Sequence, residues 1–436
     1  MANQRKFIYL DHNATGIPVP DEVLKEIAKW TKNGFNPSTD SKYAKDAKEL
    51  IEKAKSDILA RCGVSSLTHK IIFTSGATES NCFIIRACVT AFAKKIKSKD
   101  LIPHIVVSSV EHTSIIECVN KLVEAKEAEA TFVRPTIIGN INPKDVEAAI
   151  RPTTCIVCVM FANNEIPVIN NVRAIAEITR KKQVAYHCDC VQVFGKFPIK
   201  VAEFGLDSIS ASAHKFCGPK GIGISIISNQ LIEEYGLVGE INGTQQNGLR
   251  GGTENVPGIG GTLVAYELAH KNRDKKNTHL LNLRRHMIEL LKANFNIGKY
   301  ENYALQSEQK KVQDFELLFL GPQDERFCLL NTLLLAFCKN TRRPFCNIEL
   351  KRALDAKSII VSIGSACNTS SSHASHTLVA IGAPQVVKQG VIRVSMGDSN
   401  TKEEVEKFVA ELVKCVKKQV EKEIAIKAKE ISQNQP

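Results

Sequence analysis

The sequence predicts an α/β fold: a large, mostly parallel sheet covered by helices, followed by a smaller α+β domain. Three observations predict it. Apolar runs of strand length alternate with amphipathic helical patterns from about residue 20 to 265, the pattern of a parallel sheet buried on both faces. After the turn-rich stretch NGTQQNGLRGGTENVPG (242–258) the style changes to long helical patterns mixed with short strands. The chain has 436 residues, more than one ordinary core holds.

Seven candidate strands follow in order: KIIFTS (70–75), HIVVSS (104–109), ATFVRP (130–135), CIVCVMFA (155–162), VAYHCD (184–189), SISASA (208–213) and IGISII (222–227). Helical patterns surround them, among them PDEVLKEIAKWTKN (20–33), AKELIEKAKSDILARC (47–62), SIIECVNKLVEAKE (114–127), KDVEAAI (144–150) and VRAIAEITRKK (172–182). These recur with the 3.6-residue period of a helix with one apolar face. Residues 16–265 are therefore expected to form the large domain, and 1–15 with 266–436 the small one. TKEEVEKFVAELVKCVKKQVEKEI (401–424) reads as a closing helix.

Composition narrows the function classes. Net charge is +12, but the basic residues are interleaved with acids, as in EKAKSD and KKQVEKEIAIKAKE. A mixed pattern of this kind is a solvated face rather than a nucleic-acid footprint, so no nucleic acid is expected as partner. No apolar run approaches the roughly 18 residues of a membrane span, and MANQRKFIYLDHNATG lacks the apolar core of a signal peptide. The 14 cysteines sit mostly in apolar runs, and neither Cys155-x-x-Cys158 nor Cys188-Asp189-Cys190 has a second half at zinc-site spacing. They read as reduced core thiols, with no metal site and a cytoplasmic location expected.

Five stretches carry candidate chemistry. FTSGATES (73–80) leads from a strand into a helix, where first-turn N–H groups and the Thr78 hydroxyl suit an anion; it is equally a helix cap. HCDCVQ (187–192) places Asp189 at a strand end, either as a cap or as partner to a protonated pyridine nitrogen. In SAHK (212–215) a lysine stands at the end of a buried strand beside Ser212 and His214, before Gly218-Pro219-Lys220-Gly221-Ile222-Gly223. A lysine so placed can form a Schiff base with an aldehyde, whereas most lysines are surface charges. SIGSACNTSSS (362–372) sets Cys367 among small polar residues, either a nucleophile on an exposed, mobile loop or an inert thiol. GVIRVSMG (390–397) buries Arg393 in an apolar strand, which demands a carboxylate, internal or from a substrate. After HIVVSS comes Glu111-His112, whose ring can stack on a flat group or cap a helix. After CIVCVMFA comes Asn164, a donor.

Taken together, an anion cradle, a strand-end acid, a strand-end lysine, a buried arginine and a loop cysteine describe a pyridoxal phosphate enzyme with a reactive thiol. The chain resembles the cysteine desulfurases and selenocysteine lyases (NifS-like) of the class V aminotransferase superfamily. The likeness rests on YLDHNATG (9–16), FNPSTD (35–40), FTSGATESN (73–81), VEHTSI (110–115), ANNEIPVI (162–169), HCDCVQVFGK (187–196), SAHKFCGPKGIG (212–223), LRGGTENVPGI (249–259), SIGSACNTSS (362–371) and IRVSMG (392–397).

The resemblance implies the fold type I of pyridoxal phosphate-dependent transferases and a role for each matching residue. Lys215 would bind the cofactor covalently. Asp189 would pair with the pyridine nitrogen, and Gln192 with the ring hydroxyl. Ala77, Thr78, Ser212 and His214 would hold the phosphate, joined by Thr253 from a second subunit, hence a homodimer. His112 would stack on the ring; Asn36, Asn164 and Arg393 would hold the substrate carboxylate. Cys367 would accept sulfur from L-cysteine as a persulfide and pass it to an acceptor such as an iron–sulfur scaffold or a thio-cofactor pathway. Two alternatives remain at this point: a lyase releasing selenium from L-selenocysteine, suggested by SSVEH (108–112) and RPTT (151–154), and a catalytically silent dimeric adaptor. Pro167 and Asn368 depart from the family's usual glycine and threonine, and neither removes a catalytic group.

Overall fold

The computed structural model describes residues 7–95, 101–304, 315–338, 345–363 and 375–433. The chain divides into two compact units, Asn13–Asn164 with Val168–Asp274, and Met1–His12 with Glu165–Pro167 and Lys275–Pro436. Its first described strand, β1 (Ile8–Tyr9), belongs to the second, smaller unit.

The larger unit begins with helices α1 (Asp21–Asn33) and α2 (Lys45–Arg61). Strands and helices then alternate: β2 (His69–Thr74), α3 (Ala77–Lys95), β3 (His104–Ser108), α4 (Thr113–Glu124), β4 (Glu129–Val133), α5 (Pro143–Ala149), β5 (Thr154–Cys158), α6 (Val172–Lys182), β6 (Ala185–Asp189), α7 (Val201–Phe204), β7 (Ser208–Ser212), β8 (Gly223–Ser228), α8 (Asn229–Tyr235) and α9 (Val256–Lys271). All seven expected strands form one sheet in the order β2-β8-β7-β6-β5-β3-β4. Six strands run in one direction, five of them (β3 to β7) joined by parallel pairing. β8 is antiparallel to both of its neighbours, because it returns directly from β7 without a crossover helix.

Local chemistry sets the helix limits. The side chains of Asn142, Asn171, Ser228 and Asn255 accept first-turn N–H groups of α5, α6, α8 and α9. Helix α3 buries Phe83, Ile84, Ile85, Cys88 and Val89 together with Ile105, Val107, Ile156 and Cys158 of the sheet. Helix α9 carries Gly260 and Gly261, where an added Cβ would stand 3.0 Å from the Trp30 ring and 2.6 Å from Ile27 Cγ1 of α1. That close approach binds α9 to the larger unit, whose last stretch runs to Asp274.

In the smaller unit β9 (Glu316–Leu320), β10 (Thr332–Cys338) and β12 (Val391–Ser395) form an antiparallel sheet in the order β12-β10-β9. β1 pairs in parallel with β11 (Ile359–Ile360). Its helices are α10 (Arg273–Asn294), α11 (Glu301–Ala304), α12 (Asn347–Asp355), α13 (His376–Ala380), α14 (Gln385–Lys388) and α15 (Lys402–Gln433). Leu283, Met287 and Leu291 of α10, Leu335 and Phe337 of β10, and Phe408, Leu412 and Val416 of α15 share one buried cluster.

Candidate active site

Lys215 stands where β7 runs out. Ser212 ends the strand, and Ala213–Phe216 make a single 3-10 turn. Cys217 then takes a left-handed conformation (φ 63°), and Gly218 N–H closes the turn on Ala213 O at 2.9 Å. The chain returns in β8 with Ala213 N–H bonded to Ile222 O at 3.0 Å. The half-buried Lys215 Nζ donates to Asn13 O at 2.6 Å and Ala14 O at 2.9 Å. Gly16 N–H donates to His214 O at 2.8 Å, and a Cβ at Gly16 would stand 2.9 Å from Cys217 N. Only a residue without a side chain fits there. His214 Nδ1 lies 3.1 Å from Thr15 Oγ1. Burial first, then the charges of Lys215, Lys220 and Lys196, pushes the His214 imidazole down to about 4, so it is neutral at pH 7.

Asp189 ends β6, and its carboxylate is buried. Oδ1 accepts from Val191 N–H at 2.9 Å and Oδ2 from Asn81 Nδ2 at 3.0 Å. The chain after Asp189 turns without entering a helix, so the acid caps a turn and not a helix. Asn81, on the second turn of α3, also bonds Ser114 Oγ at 3.1 Å and His187 Nε2 at 2.9 Å. His187 Nδ1 lies 2.9 Å from Ser208 Oγ. Burial holds His187 down at about 3. His112 caps α4: its Nδ1 accepts Ser114 N–H at 3.2 Å and lies 2.9 Å from Ser114 Oγ. Beside it Glu111 is fully buried, receiving Ser108 Oγ–H and Met160 N–H on Oε1 at 2.5 and 2.8 Å.

Asn13 ties several of these groups together. Its carbonyl accepts both Lys215 Nζ and Gln192 Nε2, the latter at 3.2 Å, and its side chain donates to Asn164 O at 3.2 Å. Lys215, Gln192 and Asn164 thus meet at one residue, and Asn81 touches Asp189 directly and His112 through Ser114. Asn13, Asn81, Ser114 and His187 were not singled out from sequence, although all four lie within the motifs quoted for the resemblance.

The aminotransferase class-V family matches residues 8–329. The chain belongs to the class-V aminotransferase family. It is 34% identical over 420 residues to the cysteine desulfurase IscS of Methanosarcina thermophila, which covers 96% of this chain and 94% of that one. It is likewise 34% identical to IscS of Dictyoglomus turgidum, with 95% of each chain covered. Among solved structures it is similar to a NifS-like protein with a TM-score of 0.78 and 29% identity, covering 94% of this chain and 99% of the other. It is also similar to SspA in complex with cysteine, with a TM-score of 0.70 and 27% identity over 90% of this chain and all of that one.

Class-V aminotransferases as a family depend on pyridoxal 5'-phosphate, and residues of the larger unit fit that group. Gln192 Oε1 is buried with no hydrogen-bond partner among the described residues. Asp189 offers a buried carboxylate suited to a protonated ring nitrogen. At the start of α3, Ala77 is half-buried and Thr78 exposed, after Gly76, where an added Cβ would meet open space. The first-turn N–H groups of this 19-residue helix suit a phosphate.

Other expected residues have contacts of their own. Thr253 is exposed, on a cleft of about 300 Å³ lined also by Thr74, Ser75, Gln246 and Arg250. Asn36 is exposed, and its Oδ1 accepts Ser38 N–H at 3.0 Å. Arg393 belongs to the smaller unit, where its buried guanidinium meets one internal carboxylate, Asp11 Oδ1, at 2.6 Å. Cys367 lies outside the described residues. No helix among the described residues is long and apolar enough to cross a membrane.

Proposed function

We propose that this chain is a cysteine desulfurase. L-Cysteine and the Cys367 thiol react to give L-alanine and a Cys367 persulfide: the substrate C–S bond breaks, an S–S bond forms, and the thiol and substrate protons balance the new C–H bond. The observation that carries the reading is Lys215 at the end of β7, its amine held on Asn13 O beside Gln192 in a chain whose relatives are cysteine desulfurases.

Bound pyridoxal 5'-phosphate supplies an electron sink for the substrate's α-carbon. This chain's residues would do the rest. Lys215 binds the aldehyde and moves the α-proton. Asp189 and Gln192 hold the ring, and His112 stacks on it. Ala77, Thr78, Ser212 and His214 hold the phosphate, with Thr253 contributed by the second subunit of a homodimer. Asn36, Asn164 and Arg393 take the substrate carboxylate. The persulfide then serves an acceptor, such as an iron–sulfur scaffold, in a reducing compartment such as the cytoplasm.

The test is alanine release from L-cysteine and L-selenocysteine side by side, for the native chain and Cys367→Ser. The reading expects the variant to retain cofactor and lose turnover of cysteine, because a hydroxyl does not accept sulfur. Near-native alanine release from cysteine by Cys367→Ser would overturn the persulfide role. Selective loss of cysteine turnover with selenocysteine turnover kept, in a chain that prefers selenocysteine, would favour the lyase. No turnover of either substrate would favour the adaptor.

A further inference from the structure

The buried network around Asn81 has a determined hydrogen-bond polarity. The Asn81 amide nitrogen faces the Asp189 carboxylate, an acceptor only, at 3.0 Å. Its Oδ1 therefore faces His187 Nε2, which must carry the ring proton. His187 is neutral, so its Nδ1 accepts from the Ser208 hydroxyl. On the other side Asn81 Nδ2 donates to Ser114 Oγ at 3.1 Å. Ser114 then turns its own hydroxyl proton toward His112 Nδ1 at 2.9 Å, and the Ser114 backbone N–H donates to that same nitrogen. His112 Nδ1 receives two donors and carries no proton, so a neutral His112 carries its proton on Nε2.

We propose that Asn81 is a positioning residue: through Ser114 it fixes the His112 tautomer with the proton on Nε2, while its amide holds the Asp189 carboxylate in place. One side chain thereby sets both the ring proposed to stack on the cofactor and the acid proposed to meet its nitrogen. That significance rests on the function proposed above; the tautomer itself does not.

The decisive measurement is long-range 1H–15N correlation on cofactor-free protein with 15N-labelled histidine, at one fixed pH near 7.5, with the His112 signals assigned by His112→Gln. The native chain should show Nδ1 bare and Nε2 protonated. Ser114→Ala removes the shorter, hydroxyl donor and leaves only the 3.2 Å backbone N–H on Nδ1, so it should bring up a measurable protonated-Nδ1 population that the native chain lacks; Ser114→Thr keeps a hydroxyl and should restore the native pattern. Asn81→Asp keeps the shape but replaces the donor with a second carboxylate oxygen. It should loosen the tautomer likewise and weaken cofactor binding about tenfold or more, since a charge-assisted hydrogen bond is lost. A native chain with a proton on His112 Nδ1, or an unchanged His112 pattern in folded Ser114→Ala, overturns the proposal. If Asn81→Asp does not fold, the two Ser114 variants decide it. Failure of the alanine assay with the expected histidine pattern would sink the proposed activity and leave the tautomer lock standing.

Discussion

Lys215 Nζ donates to the carbonyl oxygen of Asn13 at 2.6 Å, across 202 residues of sequence. The same carbonyl receives Gln192. A backbone oxygen is an acceptor that no substitution at position 13 removes.

Lys215→Ala should abolish covalent retention of pyridoxal phosphate and the visible absorption that depends on it, while leaving the fold in place. The lost hydrogen bonds to Asn13 and Ala14 should cost about 1–3 kcal/mol in total. A borohydride-fixed adduct on another lysine of the variant, located by peptide mapping, would contradict the assignment.

Arg393→Ala leaves the Asp11 carboxylate without its 2.6 Å partner in a largely buried setting. Breaking such a pair from one side should destabilise the chain by about 3–5 kcal/mol, read as a lower denaturant midpoint. Arg393→Lys keeps charge but not the planar fork, and should raise KM for cysteine about tenfold or more with cofactor content unchanged. An unchanged KM in Arg393→Lys would remove Arg393 from the substrate carboxylate.

Glu111 is pushed up to about 8 from its ordinary 4.5, by burial first and with the charge of Asp189 adding. The folded chain therefore holds a proton that the unfolded chain has released across this window. The stability this provides is complete below about pH 4.5 and is lost as pH rises toward 8. Glu111→Gln mimics the protonated acid. Relative to the native chain it should gain on the order of 1–3 kcal/mol between pH 5 and pH 8 in urea titrations. An equal difference at both pH values would show that Glu111 carries no such linkage.

Thr253→Ala tests the homodimer. Light scattering should give about twice the mass of one chain for native and variant alike, and the variant should bind cofactor more weakly by several-fold, the loss of one hydroxyl–phosphate bond. A native chain that is monomeric while fully loaded with cofactor would exclude a contribution from a second subunit.

The clearest of the seven strands were legible as short, nearly continuous apolar runs, as in Ile105-Val106-Val107 or Cys155-Ile156-Val157-Cys158. The direction of β8 was not, since a strand buried on both faces reads alike in either sense. The smaller unit's demand for a carboxylate was visible at Arg393, but its partner Asp11 stands 382 positions away. Asn81 and His187 passed unremarked for the same reason. Their partners lie 21 to 108 positions off, and buried polar residues of this kind are satisfied by tertiary contacts that periodicity does not encode.

Six consecutive residues, Asp11 to Gly16, supply the carboxylate for Arg393, the two carbonyls for Lys215, the hydroxyl beside His214 and the bare Cα that lies against Cys217. None of the seven strands of the large sheet, nor the three of the antiparallel one, passes through them. A protease cut or an internal translation start just after Gly16 would therefore keep every strand of both of these sheets in the chain while disarming the lysine and the arginine together. In a cell extract, an antibody against the body of the protein would count such trimmed copies as intact, and only one against the first residues would report how much of the pool is competent.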